Sequence, residues 1–337
     1  MGRSKPAIRM TLFVAGLWAF SLTVSLAQGQ GGSPTPKNET YLFSYFIGNG
    51  EDGLHLASSV DGLRFTALGG GRSFLSPSIG GKLMRDPSVV QGPDGTHHLV
   101  WTTGWWDRGI GLAHSKDLVQ WSTQEWLPVM EHEPTAQNAW APEIFYDDAS
   151  RKYLIFWAST IPGRFPHTEA FGDEVKDRGL RLNHRIYYVT TRDFKEYSRT
   201  TLFYDGGFNV IDAALVRDGA RYALFVKDET RWPEPKKNLR VAYSARAEGP
   251  FADLSGPISP DWVEGPSVLR IAGAWLLFYD EYTRKRYGAA RSTDLRKFEV
   301  ISPEVEFPKG ARHGTVFKSR TEVLAGLQAG TVLKPRP

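Results

Sequence analysis

With 337 residues, 41% of them hydrophobic and 13% aromatic, the chain has material for one large globular domain or two small ones, and intrinsic disorder is excluded. The formal net charge is +4, with Arg3, Lys5 and Arg9 clustered at the N-terminus, and this balance gives no support for nucleic-acid binding. Cysteine is absent, so stability must come from packing, and a lipid anchor on a Cys at a cleavage site is ruled out.

The first segment stands apart in composition. Arg3, Lys5 and Arg9 precede an apolar run from Thr11 to Ala27, and Ser25 and Ala27 place small residues just before Gln28. The pattern predicts a secretory signal peptide over residues 1–27. An uncleaved anchor is the alternative, because the run approaches the roughly 18 to 20 residues that span a bilayer. Residues 28–38, QGQGGSPTPKN, form a Gly-, Pro- and Ser-rich flexible leader. Cleavage would put the mature chain in the periplasm or outside the cell, with no membrane attachment.

From residue 39 onward, short apolar β-type runs recur. YLFSYF (41–46) and LHLASS (54–59) lead into SVDGLRF (59–65), a D-L/F-x-x-aromatic signature read with one extra residue. SVVQ (88–91), HHLVWTT (97–103) and GIGLAHS (109–115) follow, ending in SKDLVQW (115–121) and QWST, a four-stranded meander. A similar unit from Glu143 (IFYDD, YLIFWAST, HRIYYVTT) ends in TRDFKEY (191–197). The next, from Asp212 (AALVRD, YALFVKD, LRVAYSA), has SARAEGPF in place of the signature, and the last, from Glu264 (SVLRIA, AWLLFYDE, YGAARST), ends in STDLRKF (292–298). TVFKS (315–319) and EVLAGL (322–327) read as strands that complete the blade opened by residues 41–59.

Such a repeat predicts an all-β, five-bladed β-propeller with four-stranded antiparallel blades around a central channel, occupying residues 39–330 as one catalytic domain. Closure by both termini would hide the edge strands. A β-sandwich gives no reason for a signature at blade-length spacing.

In a propeller the innermost strands all start on one face, so residues there converge. Asp86 in MRDPSVV, Asp212 in NVIDAALV and Glu264 in VEGPSVL each stand directly ahead of an inner strand. One such acid is ordinary turn chemistry. Three at corresponding positions suit glycosidic-bond hydrolysis, which needs a proton donor for the leaving oxygen and a second carboxylate to activate water or attack the sugar. A third carboxylate near the donor raises its pKa.

Asp86-Pro87, Trp140-Ala141-Pro142-Glu143, Ile211-Asp212-Ala213, Glu264-Gly265-Pro266 and Arg312-His313-Gly314, in this order, resemble the motifs of glycoside hydrolase family 43 over about residues 40–320. The resemblance implies an inverting mechanism with Asp86 as general base, Glu264 as general acid, and Asp212 raising and orienting the acid. It also places His313 among the substrate-binding residues near the central channel. A structural, water-held calcium ion beside His313 is the one cofactor it allows; no protein-ligated metal is expected.

Trp105 and Trp140 are the preferred candidates for stacking on a sugar, with Trp106 nearby. In the loop GNGEDG, Asn49, Glu51 and Asp52 reach the same face, and Asp52 is a candidate for binding a sugar hydroxyl and an alternative base. The long insertion from Ser159 to Asn183, with Arg164, Phe165, His167 and Phe171, would wall the site into a pocket that takes a chain end.

Arg85-Asp86-Pro87 also matches a tripeptide of fructan-cleaving retaining enzymes, but their upstream N-D-P nucleophile and downstream E-C acid are missing. A carbohydrate-binding propeller without catalysis would not need all three acids. Among family activities, GEDGLHLA, KLMRDPS, GFNVIDA and RHGTVF look most like arabinofuranosidases that trim arabinogalactan or arabinan side chains, ahead of β-D-xylosidase and galactofuranosidase. The expected partner is an oligo- or polysaccharide and the expected state a monomer.

Overall fold

Runs such as YLIFWAST and AWLLFYDE are too short for a buried helix and are bounded by turn residues, so they fold as strands buried on both faces. The computed structural model describes residues 39–330 together with Met1 and Gly2. The expected signal peptide and leader otherwise lie outside the described residues. Among the described residues no helix is long and apolar enough to cross a membrane.

The chain opens with β1 (Glu39–Phe46), β2 (His55–Ser59) and β3 (Thr66–Ala67), then β4 (Arg85–Gln91), β5 (His97–Thr102), β6 (Ile110–Ser115) and β7 (Glu125–Leu127). Next come β8 (Trp140–Asp147), β9 (Lys152–Thr160), β10 (Asp173–Val175), β11 (Leu180–Leu182), β12 (His184–Thr191) and β13 (Thr201–Tyr204). They are followed by β14 (Val210–Asp218), β15 (Arg221–Asp228) and β16 (Asn238–Ser244). The last blade in sequence is β17 (Glu264–Ile271), β18 (Ala274–Glu281), β19 (Arg286–Ser292) and β20 (Glu299–Val300), after which come β21 (Arg312–Arg320) and helix α1 (Thr321–Gly330).

Five antiparallel sheets make a five-bladed propeller: β4-β5-β6-β7, β8-β9-β12-β13, β14-β15-β16, β17-β18-β19-β20 and β21-β1-β2-β3. The inner strands β4, β8, β14, β17 and β21 each touch the next and close a ring. Five apolar clusters fill the five blade interfaces, for example Leu224 and Val226 against Phe156 and Ile186. The blade without the signature has three strands; SARAEGPF forms a turn flanked by the Tyr243–Ala252 bridge, and the chain after it hydrogen-bonds irregularly along β16, Ser255 N–H to the Val241 carbonyl and Ile258 N–H to the Leu239 carbonyl.

Closure by both termini is observed, with β21 antiparallel to β1 from Thr40–Ser319 to Ser44–Thr315. EVLAGL, however, is helical. Its Val323, Leu324 and Leu327 lie on one side of α1 and pack onto the closing blade, satisfying helical spacing rather than strand alternation. The fourth strand of the β4 blade also lies at residues 125–127 rather than at QWST.

The repeated signature is a turn with a specific hydrogen-bond economy. In each copy the Asp side chain accepts two backbone N–H groups: Asp61 from Leu63 and Arg64, Asp117 from Val119 and Gln120, Asp193 from Lys195 and Glu196, Asp294 from Arg296 and Lys297. The preceding Ser or Thr hydroxyl accepts the N–H of the residue after the Asp. That residue is left-handed in all four copies, namely Gly62, Leu118, Phe194 and Leu295. SVDGLRF therefore carries no extra residue, since Gly62 occupies the place of Leu118.

Candidate active site

Every inner strand starts with a β-bulge, seen as a register shift between Arg85 and Ser88, Trp140 and Glu143, Ile211 and Ala214, Glu264 and Ser267, and on β1 opposite β21 between Ser44 and Phe46. Bulges re-aim side chains, here toward the channel mouth. In four blades the second residue of the opening tripeptide is left-handed: Asp86 (φ 52°), Ala141 (φ 46°), Asp212 (φ 50°) and Gly265 (φ 63°). Asp tolerates this conformation better than most residues. The three acids are thus not at corresponding positions. Asp86 and Asp212 match, while Glu264 stands one residue earlier, because Gly265 takes the left-handed place and a Cβ there would sit 2.4 Å from the His313 ring.

N–H groups freed by the bulges are satisfied across blade boundaries. Ala141 donates to Thr102 Oγ1 (2.8 Å), Gly265 to Asp212 Oδ2 (3.1 Å) and His313 to Asp280 Oδ2 (3.3 Å). Gly314 has no room for a side chain, since a Cβ would lie 1.8 Å from the Ser44 carbonyl oxygen. The glycine of the R-H-G motif thus lets β21 seat against β1.

Asp86, Asp212, Glu264, Trp105, Trp140 and His313 all line one cavity of about 210 Å³ at this end of the channel. A larger cavity of about 630 Å³ lies along the far ends of the inner strands, but Val89, Phe145, Leu215, Val268 and Val316 dominate it and it has no facing pair of acids. Asp52 is not brought in. Its Oδ2 is 2.8 Å from His55 Nε2, and the loop meets the site only behind its wall, through Asn49, whose Oδ1 accepts from the lining residues Arg85 (Nη1, 3.0 Å) and Trp105 (Nε1, 3.2 Å). Trp140 Nε1 donates to the Trp105 carbonyl (2.7 Å), and the two rings meet edge to face. Trp106 does not line the cavity; its ring lies beneath the Arg178 guanidinium (3.8 Å) of the long insertion and 6.3 Å from the Trp140 ring.

His313 sits between two of the acids, its Nδ1 3.3 Å from Asp86 Oδ1 and 3.9 Å from Asp212 Oδ2. Burial would push the imidazole down, but the carboxylates of Asp212 and Asp86 outweigh it and hold it up at about 9, an imidazolium at neutral pH. Burial would raise Asp86, yet His313 and the Thr102 hydroxyl (2.8 Å) bring it down to about 2. Asp212, which accepts only the Gly265 N–H, is pushed up by burial to about 6 against His313 and Lys227.

Glu264 is held by two cations, Lys227 at the end of β15 and Arg312 of the R-H-G motif. Burial raises it, but Lys227 and Arg312 outweigh that and keep it below the usual carboxylate range. Lys227 Nζ is 3.3 Å from Glu264 Oε2 and 2.7 Å from Glu229 Oε2; Arg312 Nη2 donates to Glu264 Oε1 (2.9 Å) while its Nε donates to Asp280 Oδ2 (2.9 Å). Lys227 closes the apolar run YALFV, where a single lysine reads as a strand end. The charge chain continues outward, because Lys237 binds both Glu229 and Asp173 on β10. The insertion is thereby tied to the site.

One further buried acid lies close by. Glu143 accepts from the Ser88 and Thr315 hydroxyls, and burial pushes it up to about 7. A carboxyl whose folded pKa exceeds its unfolded value costs stability above the folded pKa, and the cost vanishes below the unfolded one. Glu143→Gln is therefore expected to raise stability by roughly 3 kcal/mol at pH 8, an advantage that shrinks as the pH falls through about 7 and is gone near pH 4. Thermal melts of both proteins across this range check it, and an advantage independent of pH would contradict it.

Calcium takes about 6 to 8 oxygen ligands. Among the described residues no group of three or more His, Asp or Glu side chains is placed to hold a metal ion. The Nδ1 of His313 faces Asp86, and Glu143 is bound by two hydroxyls.

The family profile described as "Probable glycosyl hydrolase domain", of the family-43-related group, matches residues 37–322. An α-L-arabinofuranosidase of Bifidobacterium longum subsp. longum is 22% identical over 206 residues, 54% of this chain and 18% of that relative; the match spans under a fifth of the relative's length. The crystal structure of a thermostable family-43 glycoside hydrolase superposes with a TM-score of 0.52 at 16% identity, covering 71% of this chain and 80% of that one, a likeness of fold.

Proposed function

Because the chain belongs to the family-43-related glycosyl hydrolases, we propose that it is an exo-acting, inverting enzyme that removes terminal α-L-arabinofuranosyl residues from arabinogalactan or arabinan side chains. The observation that carries this reading is the meeting of Asp86, Asp212 and Glu264 in one small cavity, with Asp86 kept ionised by His313. At about 210 Å³ the cavity is smaller than a drug-sized site and suits a single sugar ring at a chain end.

In the proposed reaction Asp86 takes a proton from water as the water oxygen attacks the anomeric carbon. The glycosidic C–O bond breaks, and the leaving oxygen receives the proton of Glu264. Lys227 and Arg312 favour ionised Glu264 in the free site, so its protonation is coupled to binding: a seated sugar displaces water from the carboxyl and pushes its pKa up. Asp212, whose Oδ2 accepts the Gly265 N–H, adds like-charge repulsion next to Glu264. The sugar assignment is supported by the similarity to the α-L-arabinofuranosidase of Bifidobacterium longum and by the flanking motifs. Residues 1–27 are read as an export signal, and the mature protein as a periplasmic or extracellular monomer.

The test is a rate screen on the p-nitrophenyl glycosides of α-L-arabinofuranose, β-D-xylopyranose and β-D-galactofuranose, with proton NMR of the first-released anomer. Release from the arabinofuranoside with inverted configuration is expected. Retained configuration would remove the water-activating role of Asp86, and release from the xyloside alone would reassign the sugar.

A further inference from the structure

On the Glu264 side of the cavity, three aromatic residues from separate loops stand in a row, and none of them is needed for the chemistry above. Tyr282, just after β18, lines the cavity together with Glu264. Trp262, two residues ahead of Glu264, meets the Tyr282 ring at 6.5 Å and 69°. Trp232, in the connection between β15 and β16, completes the row with 48% of its surface exposed, among the most exposed large apolar side chains of the described residues.

Two features indicate that the row is built rather than incidental. The Arg231 guanidinium lies 5.5 Å from the Trp232 ring and 5.9 Å from the Trp262 ring, bridging the two indoles. The Arg231 N–H donates to the Phe171 carbonyl (2.7 Å) and its Nε is 3.7 Å from Asp173 Oδ1, so the insertion braces the clamp. Trp262 itself is left-handed (φ 63°), a conformation that a bulky side chain seldom adopts and that clusters at ligand clamps.

The aromatics on the Asp86 side are spent differently. Arg85 covers the Trp105 ring at 4.3 Å, and the indole N–H groups of Trp105 and Trp140 bind Asn49 and the Trp105 carbonyl. They wall the cavity on the Asp86 side, where Trp105 is also 43% exposed, while Trp232 stands 48% exposed outside the cavity lining, in the loop joined to Trp262 through Arg231.

We propose that Trp232, Trp262 and Tyr282 form a binding site for the leaving part of the substrate, the neutral pyranose units from which the terminal sugar is cut. The proposal rests on the reading of Glu264 as the acid, because the acid protonates the leaving oxygen and the remaining chain must then lie on its side. Apolar faces of pyranose rings stack on such a row, and Arg231, already facing Asp173, adds no unpaired charge that would demand an acidic sugar.

Binding separates this proposal from catalysis. The Glu264→Gln protein is titrated with arabinogalactan-derived oligosaccharides, whose galactose units are neutral pyranoses, followed by tryptophan fluorescence, and compared with Glu264→Gln carrying Trp232→Ala or Trp232→Phe. Removing the indole is expected to weaken binding roughly tenfold, with Phe restoring part of it. With Glu264 intact, Trp232→Ala is expected to lower by a similar factor the ratio of kcat/KM on oligosaccharide to kcat/KM on the p-nitrophenyl glycoside. Thermal melts confirm folding. Unchanged affinity and an unchanged ratio would overturn the site, as would the absence of oligosaccharide binding by Glu264→Gln itself. Weakened binding in a protein that turns over none of the three aryl glycosides would uphold the site while sinking the proposed reaction.

Discussion

On an oligosaccharide Asp86→Asn and Glu264→Gln are each expected to cost roughly 10²- to 10⁴-fold in rate or more, but only the Glu264→Gln loss should depend on the leaving group. A p-nitrophenolate departs without needing a proton, so losing the acid should matter much less on the aryl glycoside than on an oligosaccharide, whose sugar alkoxide is a poor leaving group. Losing the base removes water activation whatever leaves, so Asp86→Asn should lose about equally on both. Steady-state kcat on the two substrate types measures this. Equal losses for Glu264→Gln would take the acid role from it, and a leaving-group-dependent loss for Asp86→Asn would exchange the two assignments. Both variants should fold. Asn keeps the left-handed tolerance needed at φ 52°, and Gln keeps an oxygen for the Arg312 hydrogen bond.

The fold was legible because its repeat is a local device. Asp117, like Asp61, Asp193 and Asp294, closes its turn within a few residues of itself, so the signature survives in the sequence wherever the turn is made. EVLAGL was misread because six residues with apolar ones at 323, 324 and 327 fit a short strand and a helix about equally well, and only packing against Leu68 and Phe317 decides. Asp86, Asp212, Glu264 and His313 were legible for a similar reason, as each opens an inner strand. The cations were not. Lys227 closes a second strand and Arg312 precedes the more conspicuous His313, and their meeting at Glu264 depends on blades 37 and 48 residues apart in the chain. Asp52 failed in the reverse way, since the GNGEDG loop reaches the site through Asn49, whose amide binds Arg85 and Trp105, while the Asp52 carboxylate turns to His55.

The second large effect is expected at Lys227, which binds the carboxyl of Glu264 and so sets the proton affinity of the proposed acid. An opposite charge within about 4 to 6 Å lowers a carboxyl by roughly 1 to 3 units. Lys227→Met should therefore raise the Glu264 pKa, and since an acid works only while protonated, the basic limb of the kcat/KM profile should move up by about one unit or more. Arg312 remains and limits the shift. Stripping one partner from a buried pair commonly costs about 3 to 5 kcal/mol, but Glu229 keeps Lys237, so the loss should fall at the lower end and leave a folded protein. Lys227→Arg preserves the charge and should leave the basic limb near its original position even if the longer side chain lowers the rate. A purely structural lysine would lower kcat without moving the limb, and that outcome would end the electrostatic role. If the role holds, the β10 hairpin matters as well: Asp173 faces Lys237, Lys237 faces Glu229 and Glu229 faces Lys227, so seating of the insertion and readiness of the acid share one line of charges.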